Sequence, residues 1–519
     1  VFSRQPTANA ADVRGAVRPV VLIWLLLSTL SGALLLRATL ASPPGTVFVG
    51  TFYYVDDFYN YLSYVQQAED GALVFRNKLA SPSLPPALIN LEWLVVGWTA
   101  ALLGGSPLVA YRIVGFAALA LLVNQVDGWL LRGGLPRPRR LAGLLLVFTG
   151  GGLGWVLLVL GDQTRWRPYD VVAGLFPFVE FLANPHFVVG TALLVTAMGA
   201  FAADRPASGA LLGNVLALTR PYDAVLLAGV AATTALLRWP PREWPRRLLP
   251  VAALGPALLY NVWVLIWSPG FRAFSSPLYA AGGPSHLELV MAVGPAALVA
   301  LTALHLRGNR VEREPRHRLF LALWASLALL LAILRPVSFS LQFLAGVGVP
   351  LLCLAAIGLG RMRHGLLEAA VPAFAGTSIA VIWLLLHPLP TRNVPAERWR
   401  IAAALDSVCQ TGELVLSPPD IGLYVGGLSA CWPWVSHPAA PDHAAREETA
   451  RRFYASPPSD RARLLDELCA TYVVVPRFWP GGGLPRTAPY SFRLGVEGAG
   501  GGLAVYSREG HSPCAPASP

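Results

Sequence analysis

YYVDDFYNYLSYVQQAEDG, Tyr53 to Gly71, is the first long polar interruption in a chain that alternates about eleven apolar stretches with short arginine-rich loops. The string sets two adjacent carboxylates, Asp56 and Asp57, just outside a membrane helix. Membrane helices are common and say little about chemistry. Paired acids held at the mouth of such a bundle are costly to keep without a use. The apolar runs around it make a polytopic α-helical membrane protein, and this stretch marks where a reaction would be sought.

Composition agrees. The 519 residues are 55% hydrophobic and 13% charged, with a mean hydropathy of +0.53, which excludes a soluble globule of this size. The net charge of +11 rests almost wholly on arginine, since Lys78 is the single lysine. Those arginines cluster in short loops between apolar runs, the signature of cytoplasmic loops and not of a nucleic-acid-binding face. The preference for arginine, alanine, glycine and proline points to a GC-rich bacterial genome.

The first apolar run, Val17 to Leu36, follows Arg14 and Arg18 and is long enough to span. We read it as an uncleaved helix entering from the cytoplasm, in preference to a signal peptide cut near Ala38 or Ala41. The loops Arg132 to Arg140, Arg238 to Arg247, His305 to Arg318 and Arg361 to Arg363 carry the arginines. With these loops cytoplasmic, spans are predicted near 107–131, 141–160, 186–203, 208–219, 221–237, 248–267, 287–304, 319–334, 342–360 and 366–386. Together with the first helix this makes about eleven, with the C-terminus outside.

Two stretches break the pattern. Residues 85–104 are nearly long enough to cross, yet a crossing there would put the 132–140 arginines outside; Asn90, Glu92, Trp93 and Trp98 suit a helix lying in the outer interface. Residues 38–106 then form one large external loop within a transmembrane module of residues 1–386. The second is Thr219 to Asp223, where Pro221 stops or kinks a helix. Broken helices at membrane depth are tolerated against protein or a wet cavity. Arg220, Tyr222 and Asp223 are thus expected to line an outward cavity, or Arg220 and Asp223 to form an ion pair that fixes the kink.

After His387 a proline-rich connector leads to residues of ordinary soluble composition. A helix near Pro395 to Cys409, strands at Glu413 to Leu416 and Thr471 to Val475, a helix at Ser459 to Leu468 and a last strand at Leu503 to Ser507 predict a small external α/β domain, 387–519. Of five cysteines, Cys353 lies in a span and Cys409, Cys431, Cys469 and Cys514 lie in this tail. An oxidising compartment would allow a disulfide among Cys409, Cys431 and Cys469; free buried thiols are the alternative. No cysteine spacing resembles a zinc site.

A cytoplasmic first helix, then VDDFYNYLSYVQQAEDG, then SPSLPPALINLEWLVVGWTAALLGG and GSPLVAYRIVGFAALALLV, resembles the GT-C superfamily. These are polytopic glycosyltransferases that use polyprenyl-phosphate sugars, and the nearest likeness is to the ArnT and protein-mannosyltransferase-like group (glycosyltransferase family 39-like). QFLAGVGVPLLCLAAIGL is similar to that group's late helix, and the external tail with its YVVV strand fits as well. The likeness runs over nearly the whole chain, on architecture and short motifs.

The resemblance implies a catalytic carboxylate at Asp56, with Asp57 in the second acidic position. The physical reading agrees: an acceptor hydroxyl or amine needs a base in hydrogen-bond reach, and an acid beside another acid has its proton affinity raised toward that task. The bland alternative is a solvated pair capping a helix that begins near Phe58. A further acid is expected in the external loop 161–185, which holds Asp162, Arg165, Arg167, Asp170 and Glu180. His186, beside Asn184, opens the next span, where it would meet a sugar or phosphate or merely cap the helix.

A lipid-phosphate leaving group calls for arginine at the outer helix ends. Arg335 is the first candidate, then Arg272 and Arg220. Relatives often have an arginine where this chain has Gln342, so Arg335 would have to supply that charge. The run Gly150 to Trp155 is no phosphate loop, lacking the lysine and the strand–helix setting; close helix packing explains its glycines.

The expected function is an inverting glycosyltransferase at the outer face of a bacterial cytoplasmic membrane. Its partners would be a polyprenyl-phosphate sugar donor, a lipid, glycan or protein acceptor and the surrounding membrane lipids, without nucleic acid. A divalent cation is compatible with Asp56 and Asp57, but two acids are too few ligands to argue for one. A lipid-linked glycan flippase or transporter would instead show charges and broken helices within the spans. A catalytically silent scaffold of the same fold would tolerate replacement of Asp56.

Overall fold

The computed structural model describes residues 10–80, 84–160, 168–172, 174–272, 285–305, 315–336, 340–362, 365–387, 392–438, 440, 442–476, 490–497 and 502–508. Contacts divide the chain into two compact units. One contains Val1–Leu36, Arg112–Asn261 and Ala280–His387; the other contains Arg37–Tyr111, Val262–Tyr279 and Pro388–Pro519. The grouping around the tail is thus wider than a division at His387, because the first loop is built into it.

The helices follow from the apolar runs. Among the described residues six are long and apolar enough to cross a membrane: Arg18–Leu40, Pro107–Arg132, Pro185–Ala202, Arg316–Leu334, Ser340–Leu359 and Leu366–Leu386. Two bent pairs, Arg137–Thr149 with Gly154–Leu160 and Pro241–Ala252 with Gly255–Ile266, raise the number to 8 if each pair is one crossing. The protein is a multi-pass membrane protein, and the described residues do not reach the expected count of about eleven crossings. Helix Pro206–Ala217 has 12 residues, about 18 Å against a hydrocarbon core of about 30 Å. It is parted from helix Pro221–Arg238 by an extended Arg220.

The first bent pair shows how the helical unit absorbs a break. Gly150 to Leu153 interrupt the helix and turn it by 53°. The freed backbone amides of Gly152 and Gly154 donate to one Asp170 carboxylate oxygen, each at 3.2 Å, and Thr377 Oγ1 donates to the same oxygen at 2.6 Å. A side chain at Gly152 would lie 2.0 Å from the Ala292 carbonyl oxygen. Close packing accounts for these glycines, and Asp170 for the backbone groups they leave open.

The other unit holds every described strand. β1 (Thr46–Phe48) pairs antiparallel with β2 (Asn393–Pro395), tying the start of the first loop to the start of the tail. A five-stranded sheet has the order β4-β3-β5-β7-β6, from β3 (Leu414–Leu416), β4 (Trp432–Pro433), β5 (Tyr472–Pro476), β6 (Tyr490–Val496) and β7 (Leu503–Arg508). β4, β3 and β5 run parallel, while β7 and β6 are antiparallel. Val435, Phe453, Leu465, Val473 and Val475 fill a core between this sheet and helices His443–Ala455 and Pro458–Leu468.

The expected strands and helices of the tail are present, joined by helix Pro419–Leu428, helix His443–Ala455, β4 and β6, which were not anticipated. Cys409 and Cys431 form a disulfide and Cys469 is also disulfide-bonded; Cys353 is free and buried, and Cys514 lies outside the described residues. Residues 85–104 contain one helix, Leu91–Leu102, whose 12 residues are too few to cross. Asn90 caps it by accepting from the Glu92 and Trp93 amides.

Candidate functional site

The acid-bearing helix runs from Val55 to Glu69, so Asp56 and Asp57 lie in its first turn and not ahead of it. The alternative of a solvated pair ahead of a helix that begins near Phe58 does not match this start. The Phe58 amide donates to the Tyr54 carbonyl at 2.9 Å, which closes residues 55–57 into the helix, and Tyr54 takes a left-handed φ of 51° with no side-chain cap. The helix dipole there favours negative charge. Phe58, Tyr59, Leu62, Val65 and Ala68 bury the opposite face, leaving both acids half-buried.

Around this turn the tail contributes groups that no sequence motif announces. His437 follows β4, is 6% exposed, and brings Nε2 to 3.3 Å from Asp57 Oδ1. Burial pushes the Asp56 carboxyl above its usual range; His437 opposes that, the Asp57 charge adds to it and His443 opposes it again. Tyr424, on helix Pro419–Leu428, has its hydroxyl pushed up to about 12 by burial and by the charges of Asp56 and Asp420, against Arg398. Its ring stands edge-on to Tyr59 at 4.8 Å. Tyr59 in turn donates to the Val49 carbonyl at 2.9 Å and accepts from Trp399 Nε1 at 3.2 Å. The result is a carboxyl raised in proton affinity, half open, with imidazoles beside it.

A second polar cluster lies in the helical unit, where Arg220 interrupts two helices. Arg220 Nη1 stands 3.1 Å from Asp223 Oδ2, and Nη2 donates to Gln342 Oε1 at 3.3 Å. Glu180 accepts from Thr191 Oγ1 at 3.1 Å and lies within electrostatic reach of Arg220. Glu180, Arg220 and Asp223 are all at least 98% buried, and Glu180 Oε2 and both Asp223 oxygens have no hydrogen-bond partner among the described residues. The anticipated ion pair is therefore present, and it also joins the break to the segment that opens the late helix.

The other candidates separate. Asn184 accepts from the His186 amide at 3.2 Å and caps helix Pro185–Ala202, while half-buried His186 occupies its first turn. Tyr222 stands edge-on to Phe343 at 6.0 Å. Asp170 serves the glycine break described above. Asp162, Arg165 and Arg167 lie outside the described residues. Arg272, exposed, belongs to the unit that holds Asp56.

Arg335 ends helix Pro315–Leu334 with a left-handed φ of 50°. It lines a cavity of about 270 Å³ with Ser285 and His286 on the polar side and Leu289, Ile333, Leu341 and Leu344 as apolar wall. A cation beside such a wall is suited to an anion carried on a hydrocarbon chain. Among the described residues no three His, Cys, Asp or Glu side chains come together as a metal site, and no step is derived through one.

No family model and no curated protein matches the sequence. Solved structures do. The oligosaccharyltransferase of Archaeoglobus fulgidus, crystallised with a tethered acceptor peptide, is 11% identical with a TM-score of 0.51, over 95% of this chain and 74% of that one. ArnT from Cupriavidus metallidurans, bound to undecaprenyl phosphate, is 16% identical with a TM-score of 0.51, over 96% of this chain and 98% of that one. Mycobacterial arabinofuranosyltransferase AftD is 17% identical with a TM-score of 0.51, over 94% of this chain but 40% of its own length. The chain shares its fold with these three membrane transferases.

Proposed function

We propose that the protein is an inverting glycosyltransferase that takes its sugar from a polyprenyl monophosphate at the outer face of the cytoplasmic membrane. The observation that carries this reading is the half-buried acid pair of the first loop, met by tail histidines, on a GT-C fold. Asp56 takes the proton of the acceptor hydroxyl or amine as that atom attacks the anomeric carbon. The new glycosidic bond forms opposite the phosphate, the bond from anomeric carbon to phosphate oxygen breaks, and the electron pair leaves on the lipid phosphate. One displacement inverts the anomeric centre.

Arg335 is assigned to the departing phosphate, since its cavity joins a guanidinium to an apolar wall and ArnT, of the same fold, binds undecaprenyl phosphate. Arg272 is a second candidate. Arg220 ranks last because Asp223 and Gln342 already engage it. The transmembrane module 1–386 would carry the donor and the tail 387–519 would face the oxidising side, which the Cys409–Cys431 disulfide supports. The N-terminus would be cytoplasmic.

One observation favours a second reading. The buried Glu180, Arg220 and Asp223 at a broken helix are what a transporter of lipid-linked glycans would need. Proteoliposomes loaded with a labelled polyprenyl-phosphate sugar and membrane extract separate the two. Glycosyl transfer consumes the donor and yields free polyprenyl phosphate. Label that crosses the bilayer with the donor intact would overturn the enzyme reading.

A further inference from the structure

Nothing in the reaction above uses the imidazoles that meet the acid pair, yet one of them is held more firmly than the acid it touches. His437 is 6% exposed, whereas the Asp57 side chain is 38% exposed. The segment from Trp432 to His437 is fixed from two sides. Trp432 Nε1 donates to the Ala80 carbonyl at 2.8 Å, and the Val435 carbonyl oxygen lies so close to helix Pro419–Leu428 that a side chain at Gly422 would stand 1.7 Å from it. The imidazole is therefore set by the packing of the tail, and the carboxylate comes to it.

We propose that His437 is a positioning residue for the acid pair: its Nε2 holds Asp57, so that Asp56 is the carboxylate left to act as base. This rests on the reading of Asp56 as the base. Adjacent residues on a helix point about 100° apart, so one carboxylate can be tied while its neighbour faces elsewhere.

Among the described residues these groups act on Asp56. Asp57 comes from the same turn, His437 from the segment after β4, His443 from the start of helix His443–Ala455 and Tyr424 from helix Pro419–Leu428. His443 is also paired with Glu447 at 3.7 Å, and beyond Tyr424 Asp420 is paired with Arg398. His437 is thus the imidazole in contact with the pair. Its protonation favours the ionised form of Asp56, so its loss makes Asp56 harder to ionise. Because His437 belongs to the tail and Asp57 to the first loop, the base is competent only when those two segments are packed together.

The test is the pH dependence of sugar transfer by His437→Gln, with Asp56→Asn alongside and thermal melting to confirm folding. Glutamine can keep a donor near the Nε2 position without the charge. The account expects the acid limb of the rate profile to move to higher pH, with a loss of about tenfold near pH ~6 and recovery to within about threefold near pH ~8. A loss by one factor at every pH, with Asp56→Asn inactive, would overturn the role of His437 and leave the proposed function standing. Transfer by Asp56→Asn at the wild-type rate would overturn both.

Discussion

Lys78 shows what a single side chain does in this protein. The only lysine of the chain is buried, and its Nζ donates to the Ser429 carbonyl at 2.7 Å and the Gly426 carbonyl at 3.2 Å, at the end of helix Pro419–Leu428. It closes open carbonyls with a cation where the helix dipole is negative. Burial pushes its amine from 10.5 down to about 8, against the charges of Asp70 and Asp406. With the folded value below the unfolded one, the folded state binds fewer protons between them, so stability rises with pH through that window. Melting of wild type against Lys78→Met should show a wild-type advantage that grows from pH about 8 to about 10; a pH-independent difference would contradict it. At this scale the sequence was a partial guide. Asp56 and Asp57 stood out because acids beside apolar runs are rare. His437, His443 and Lys78 did not, because each is a lone residue whose partner is set by the fold.

Elements were easier to read where the chain marks its own breaks. Pro221 announced an interruption, which is present with Arg220 at it; the glycine run at Gly150, read as close packing within a single span, is a second break, where Asp170 supplies the charge. The role of that charge was not readable, since the partners Thr377 and Gln342 come from distant helices. The start of the acid-bearing helix is unmarked in the sequence for a local reason: a left-handed tyrosine ahead of it leaves no capping side chain to recognise. Helix Leu91–Leu102 packs against that helix through Gly97, where a Cβ would stand 2.4 Å from Ala68 Cβ and 2.7 Å from the Val65 carbonyl oxygen. Gly97→Ala should therefore part the two helices and destabilise the protein by about 1–3 kcal/mol, read from its melting in detergent. An unchanged melt would mean that the helices do not pack this closely.

Over the whole molecule, composition settled the class, and the apolar runs set out the order of helices. The number of crossings was not readable, because runs of similar hydropathy become one helix, two short helices or a bent pair according to where glycine and proline fall. The grouping of the first loop with the tail was equally hidden, since the β1–β2 ladder joins strands of three residues each from opposite ends of the chain. That grouping is what brings histidines to the acid pair, in which we propose Asp56 as the base of a glycosyl transfer. The direct measurement is release of free polyprenyl phosphate from a panel of polyprenyl-phosphate sugars by purified wild type and Asp56→Asn, matched for folding by thermal melting. The account predicts release by wild type and a loss of at least about a hundredfold in the variant. Equal release by the two proteins would contradict it.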